Sequence, residues 1–119
     1  MGYDFVDVES LEGEGPGGMV RKVRRAVGAR AFGFNYFTIP PGVEGREHDH
    51  AETEQEEVYV VVRGSGIMRV GGNEVALRPG VFIRVDAATR RQPVAGDEGL
   101  ELVTFGRPVD GDYTPPPWE

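Results

Sequence analysis

Short apolar runs recur along the chain, and glycine or proline separates most of them. Turns at intervals of about 8–12 residues mark a short-stranded all-β domain. The pattern predicts strands at residues 31–39, 57–62, 67–70, 75–77, 81–85, 90–94 and 100–105, with a short one around residues 46–50. Gly64, Ser65 and Gly66 read as a turn. So do residues 95–99, and Gly71, Gly72 and Asn73 suit a hairpin because they tolerate positive φ. Residues 31–39 are apolar on both faces: Phe32, Phe34, Tyr36 and Thr38 share one, Gly33, Asn35, Phe37 and Ile39 the other. The aromatic row is expected to face inward as core, with Phe34 and Tyr36 as candidates to touch a ligand.

Outside the strands the pattern changes. Val20, Val23 and Val27 are spaced i, i+3, i+7, which favours a short helix stopped by Gly28. Five basic residues between positions 21 and 30 read as a solvated face that pairs with acids, rather than as an anion or nucleic-acid patch. Residues 1–18 hold five acids and no base, and form a flexible or edge-strapping arm. Residues 107–119 are rich in proline, and burial of Trp118, the one tryptophan, would tie that tail down. The expected domain is single, with a core at about residues 30–106 between arm and tail.

Composition narrows the function. Thirteen basic against twenty acidic residues give a net charge of −7, which disfavours nucleic acid or an anionic membrane as the main partner. The absence of cysteine excludes disulfides, thiolate nucleophiles and thiolate metal sites, and makes the cytoplasm the default location. The first residues lack a basic and apolar leader pattern, and no apolar run reaches membrane-spanning length, so neither a signal peptide nor a membrane segment is expected. Ser-His-Asp and Cys-His arrangements and a phosphate-binding glycine loop are also missing.

The only two histidines, His48 and His50, stand i, i+2. On a strand that spacing points both imidazoles to one face, which makes half of a metal site. Arg46 shares this face. A carboxylate follows at Glu56 or Glu57, opening the next strand, and Tyr59 and Val61 share the face of Glu57. Glu52 or Glu54 of the intervening polar loop could fold back as an extra ligand. Two histidines and one carboxylate suit divalent Fe, Mn, Ni, Co or Zn, with positions left open for water or substrate. Only neutral imidazole ligates, so occupancy should fall in acid.

Gly42, His48, His50, Glu57 and Gly64 together resemble the first motif of the cupin superfamily: glycine, five residues, His-x-His, a spacer, glutamate, six residues, glycine. The spacer here is six residues rather than the usual three or four. The resemblance implies a small antiparallel jelly-roll barrel with the site inside, and pairing of two chains into a homodimer. It also implies a second motif, which Gly72, Pro79 and Gly80 begin to fill. The histidine that should close that motif as the last ligand falls near position 91, where Arg91 stands beside Arg90. Arginine has no lone pair to give a metal. Either Arg91 faces the interior and binds a substrate carboxylate or phosphate, or it pairs with Glu57, or Arg90 takes the inward role. Tyr59, Arg46, Tyr36 and Phe34 complete the expected ligand-binding set. Two functions follow: a metal-dependent oxygenase, isomerase or lyase for a small polar or anionic molecule, or a non-catalytic binding or sensing barrel.

Overall fold

Two long strands dominate the computed structural model, which describes residues 2–119. The elements in order are β1 (Val20–Arg21), α1 (Val23–Val27), β2 (Gly33–Ile39), β3 (Gln55–Val70), β4 (Asn73–Leu77), β5 (Phe82–Val85) and β6 (Arg91–Pro108). The fold is an all-β antiparallel jelly roll. Hydrogen bonding runs β1-β2-β6-β3-β4, and β5 adds to β3. β3 and β6 pair antiparallel from Gln55↔Pro108 to Val70↔Arg91, with shifts of register between Val61 and Arg63 and between Gly64 and Gly66. These bulges bend the ribbon so that its two halves belong to two facing layers. The first half of β3 meets β5 and the later half of β6. The second half of β3 meets β4 and the start of β6.

The two turns expected inside this ribbon are therefore absent. Gly64 lies within β3 at φ 83°, and an added Cβ would run into the carbonyl oxygen of Gly99. A Cβ at Gly66 would likewise strike the carbonyl oxygen of Val94. Glycine serves here for close backbone approach at a bend, not for reversal.

Residues between the layers alternate along each strand. Ile39, Tyr59, Val61, Met68, Leu77, Val85, Ala95, Leu100 and Leu102 form the core, and each buried Ile, Leu, Val or Met side chain among them contributes roughly 1.5–3 kcal/mol. On β2 this interior face is Gly33, Asn35, Phe37 and Ile39, so the aromatic row points the other way. Phe34 packs with Phe32 and Phe105 on the outer face, at ring centroid distances of 5.2 and 6.2 Å. Tyr36 donates its hydroxyl to Glu101. Neither residue lines the interior, which corrects the expectation for both.

The helix is shorter than its valine spacing suggested, because Val20 and Arg21 pair with Phe37 and Tyr36 as β1. Gly28 stops α1 in the left-handed conformation, its N–H reaching the carbonyls of Arg24 and Arg25. The arm does meet the basic stretch: Lys22 pairs with Glu14 at 3.2 Å, and Arg21 donates to the carbonyl of Leu11. Trp118 is exposed and does not anchor the tail. Tyr113 and Glu119 do so instead. No helix among the described residues is long and apolar enough to cross a membrane.

Candidate metal centre

Residues 43–50 run beside β6 without forming a regular strand. Single bridges join Glu44 to Val94 and His48 to Arg91. The peptide N–H of His50 is held by the carbonyl of Ala87 at 2.7 Å. The extended backbone still brings the imidazoles together, with ring centroids 5.0 Å apart and planes at 88°. On the facing strand β3, Glu57 pairs in register with Val85 on one side and Gly106 on the other. Its carboxylate turns inward, while Glu56 turns outward to Arg84 at 3.0 Å, which settles the choice between the two acids. Glu52 and Glu54 stay exposed in the loop.

One ligand atom each from His48, His50 and Glu57 falls within a 4.8 Å cluster. Glu57 Oε1 lies 3.4 Å from His50 Nε2 and 3.9 Å from His48 Nε2. His50 Nε2 and Glu57 Oε1 are both buried without a hydrogen-bond partner. Buried polar atoms are normally paired, and one imidazole nitrogen and one carboxylate oxygen converging in this way are a donor set that fits a divalent cation. His48 Nδ1 stands 3.1 Å from the carbonyl oxygen of Arg46. A carbonyl only accepts, so Nδ1 donates the proton and Nε2 keeps its lone pair toward the cluster. Arg46 thus orients the His48 ring through its main chain, while its side chain is exposed and does not share the interior with the imidazoles as the sequence pattern suggested.

Burial by itself pushes the Glu57 carboxyl up, but the two imidazoles beside it outweigh burial and hold it at about 2. Tyr59 is pushed well above its ordinary range by burial first and by the Glu57 charge second, while Arg91 and Arg46 pull the other way. Its hydroxyl is buried and unpartnered.

Arg91 is fully buried at 0% exposure. Its Nη2 donates to the carbonyls of Asp86 at 3.1 Å and Val85 at 3.5 Å, while Nε and Nη1 have no partner. Among the described residues it makes no ion pair with Glu57. Arg90 is exposed and pairs with Asp49 at 3.5 Å and Glu47 at 3.7 Å, so Arg91 is the inward arginine. A concavity of about 370 Å³ lies at the rim near His50, lined by Ala51, Glu54, Ala87, Ala88, Val109 and Asp110.

Two buried polar residues on the interior face were not singled out by sequence reasoning as functional. Asn35 and Thr104 are 3% and 7% exposed, in one cross-strand row with Tyr59. The available signal was a lone amide in an otherwise apolar β2 face.

Comparison with known proteins agrees with the fold. Residues 35–106 match the family model of the cupin domain. A cupin protein from Bacteroides fragilis superposes with a TM-score of 0.77 at 17% identity, covering 96% of this chain and 92% of its own. A predicted oxalate decarboxylase from Thermotoga maritima gives 0.76 at 19% identity, covering 89% and 100%. KdgF from Halomonas gives 0.73 at 17% identity, covering 92% and 96%. At these identities the likeness is one of fold. A search of curated proteins found no match to the sequence.

Proposed function

Given that the chain belongs to the cupin domain family, we propose that His48, His50 and Glu57 hold a divalent metal ion and that a small anionic molecule binds beside it, guided by Arg91. The observation that carries this is the convergence of the three ligand atoms within 4.8 Å, with His50 Nε2 and Glu57 Oε1 otherwise unpaired. Iron, manganese, nickel, cobalt and zinc all accept this donor set. A metal bound there supplies Lewis-acid or redox chemistry at positions the protein leaves open.

The protein's own groups do the rest. Arg46 O fixes the His48 ring. The free Nε and Nη1 of Arg91 are the donors that a carboxylate or phosphate takes. Tyr59, kept neutral by burial and by Glu57, offers its hydroxyl as a hydrogen-bond donor to an oxygen atom of the anion. The reading is a small metal-dependent enzyme of the oxygenase, isomerase or lyase kind, working in the cytoplasm. Its neighbours include a protein described as a predicted oxalate decarboxylase, which agrees with an anionic substrate. The other reading, a non-catalytic binding protein, is favoured by one observation: an arginine, not a fourth ligand, stands at position 91. Elemental analysis of protein purified without added metal tests the choice. Stoichiometric first-row metal supports the enzyme, and its absence leaves the binding protein.

The same reading includes a homodimer. The outer sheet face exposes Phe32, Phe82, Phe105 and Val62, and a groove of about 210 Å³ crosses it between Phe32, Val58 and Phe105. A contiguous apolar face of this kind is suited to a second copy of the chain.

A further inference from the structure

The metal centre makes no use of Tyr113 or Glu119, yet Tyr113 is buried against the interior face of β2 and Glu119 is hydrogen-bonded to Asn35 on that face. Tyr113 is 7% exposed, and its ring lies on Gly33, where an added Cβ would meet the Tyr113 hydroxyl oxygen at 2.8 Å and ring carbons at 3.0 Å. The Glu119 carboxylate accepts from Asn35 Nδ2 through Oε1 and from the Tyr113 hydroxyl through Oε2, both at 2.7 Å. Arg24 Nη2 donates to the main-chain oxygen of Glu119 at 3.1 Å, and Nη1 donates to the carbonyl of Ala29 at 2.9 Å. Arg24 is 8% exposed with Nε unpartnered, and Asn35 is 3% exposed with Oδ1 unpartnered. An amide and a phenol thus hold the Glu119 side-chain carboxylate, and a guanidinium beside them holds the main-chain oxygen of the same residue; these are the donor types that recognise an organic acid.

Register places this cluster near the metal ligands. Gly33 pairs with Gly106, which pairs with Glu57; Asn35 pairs with Thr104, which pairs with Tyr59. Two strand spacings separate Gly33 from Glu57, roughly 10 Å, on one interior face. We propose that Arg24, Asn35 and Tyr113 form a carboxylate-binding subsite for a small organic acid, and that the Glu119 side chain occupies it until such an acid displaces it. The subsite assigns the acid as the substrate class of the metal centre, and in that respect rests on the function proposed above. Binding at the subsite needs no metal.

The test is a calorimetric titration of the full chain with malonate, EDTA present, followed in parallel by the fluorescence of Trp118, the neighbour of Glu119. In the wild type malonate should shift the Trp118 emission as the tail leaves. Glu119→Ala removes the competitor and should tighten malonate about tenfold, the factor for a site open about a tenth of the time. Arg24→Lys keeps the charge but loses the fork, and should weaken malonate about tenfold. Equal affinity in wild type and Glu119→Ala overturns the proposal. So does the absence of both heat and emission change in either protein. Weakening by Arg91→Lys alone, with Arg24→Lys unaffected, places malonate elsewhere and also overturns it. Metal content, measured separately, decides the metal reading whichever way the titration falls.

Discussion

His48 and Arg91 exchange a pair of backbone hydrogen bonds, His48 N–H to Arg91 O at 3.0 Å and Arg91 N–H to His48 O at 2.9 Å. Directly opposed residues of an antiparallel pair project to the same face. The guanidinium therefore enters the interior beside an imidazole, where a further metal ligand would enter, and brings a positive charge in place of a lone pair. A cation next to a metal ion favours a bound anion over a neutral ligand.

Replacing Arg91 with histidine should restore a fourth donor. Arg91→His is expected to raise affinity for Zn(II) or Mn(II) by at least about tenfold and to weaken anion binding. Competition with a chelating dye measures the first effect, and an unchanged metal affinity would show that position 91 does not face the ion.

His50→Ala leaves two protein donors from three. Metal content after dialysis should drop from near stoichiometric to negligible, while circular dichroism stays that of the wild type because the core is apolar and separate. Equal, negligible metal in both proteins would mark the site as vestigial.

Gly64→Ala combines a positive φ of 83° with a clash against the backbone of Gly99. The strained conformation alone costs about 1–3 kcal/mol, and backbone cannot move aside as a side chain can. A lowered urea midpoint is expected. Gly72→Ala, at φ 81° with nothing within 4 Å, should cost only the strain. Equal losses would remove the close-approach argument.

Tyr36 supplies a pH signature. Burial first, then the hydrogen bond and charge of Glu101, raise its phenol from 10.0 to about 12. The folded state thus holds this proton more tightly than the unfolded one. The stabilisation is full below pH 10 and is lost as pH rises toward 12. Stability of the wild type should fall over that window more steeply than stability of Tyr36→Phe, measured by urea unfolding at each pH.

Phe105→Glu places a charge at the centre of the outer apolar face. Sedimentation should give twice the chain mass for the wild type at micromolar concentration and a single chain for the variant. A wild type of single-chain mass would end the homodimer reading.

Some of the site was readable without the fold, since the i, i+2 spacing of His48 and His50 leaves the imidazoles adjacent even in an irregular segment. Gly64, Ser65 and Gly66 misled because a glycine pair marks a reversal far more often than a bulge inside a long strand. The aromatic row misled for a different reason. Both faces of β2 are apolar, and local pattern cannot rank Phe34 and Tyr36 against Phe37 and Ile39.

Residue order alone determined the all-β class, the helix stop at Gly28, the His48–His50 pair and the lack of a third histidine, because each depends on composition or on spacings of a few residues. Tertiary structure decided the rest. Shifting a strand by one residue exchanges its faces, so only pairing with β6 could send Arg91 inward and Arg90 out, or Glu57 inward and Glu56 out. Only folding could bring Glu119 to Asn35 across 84 positions of chain, since nothing local to either residue encodes the other.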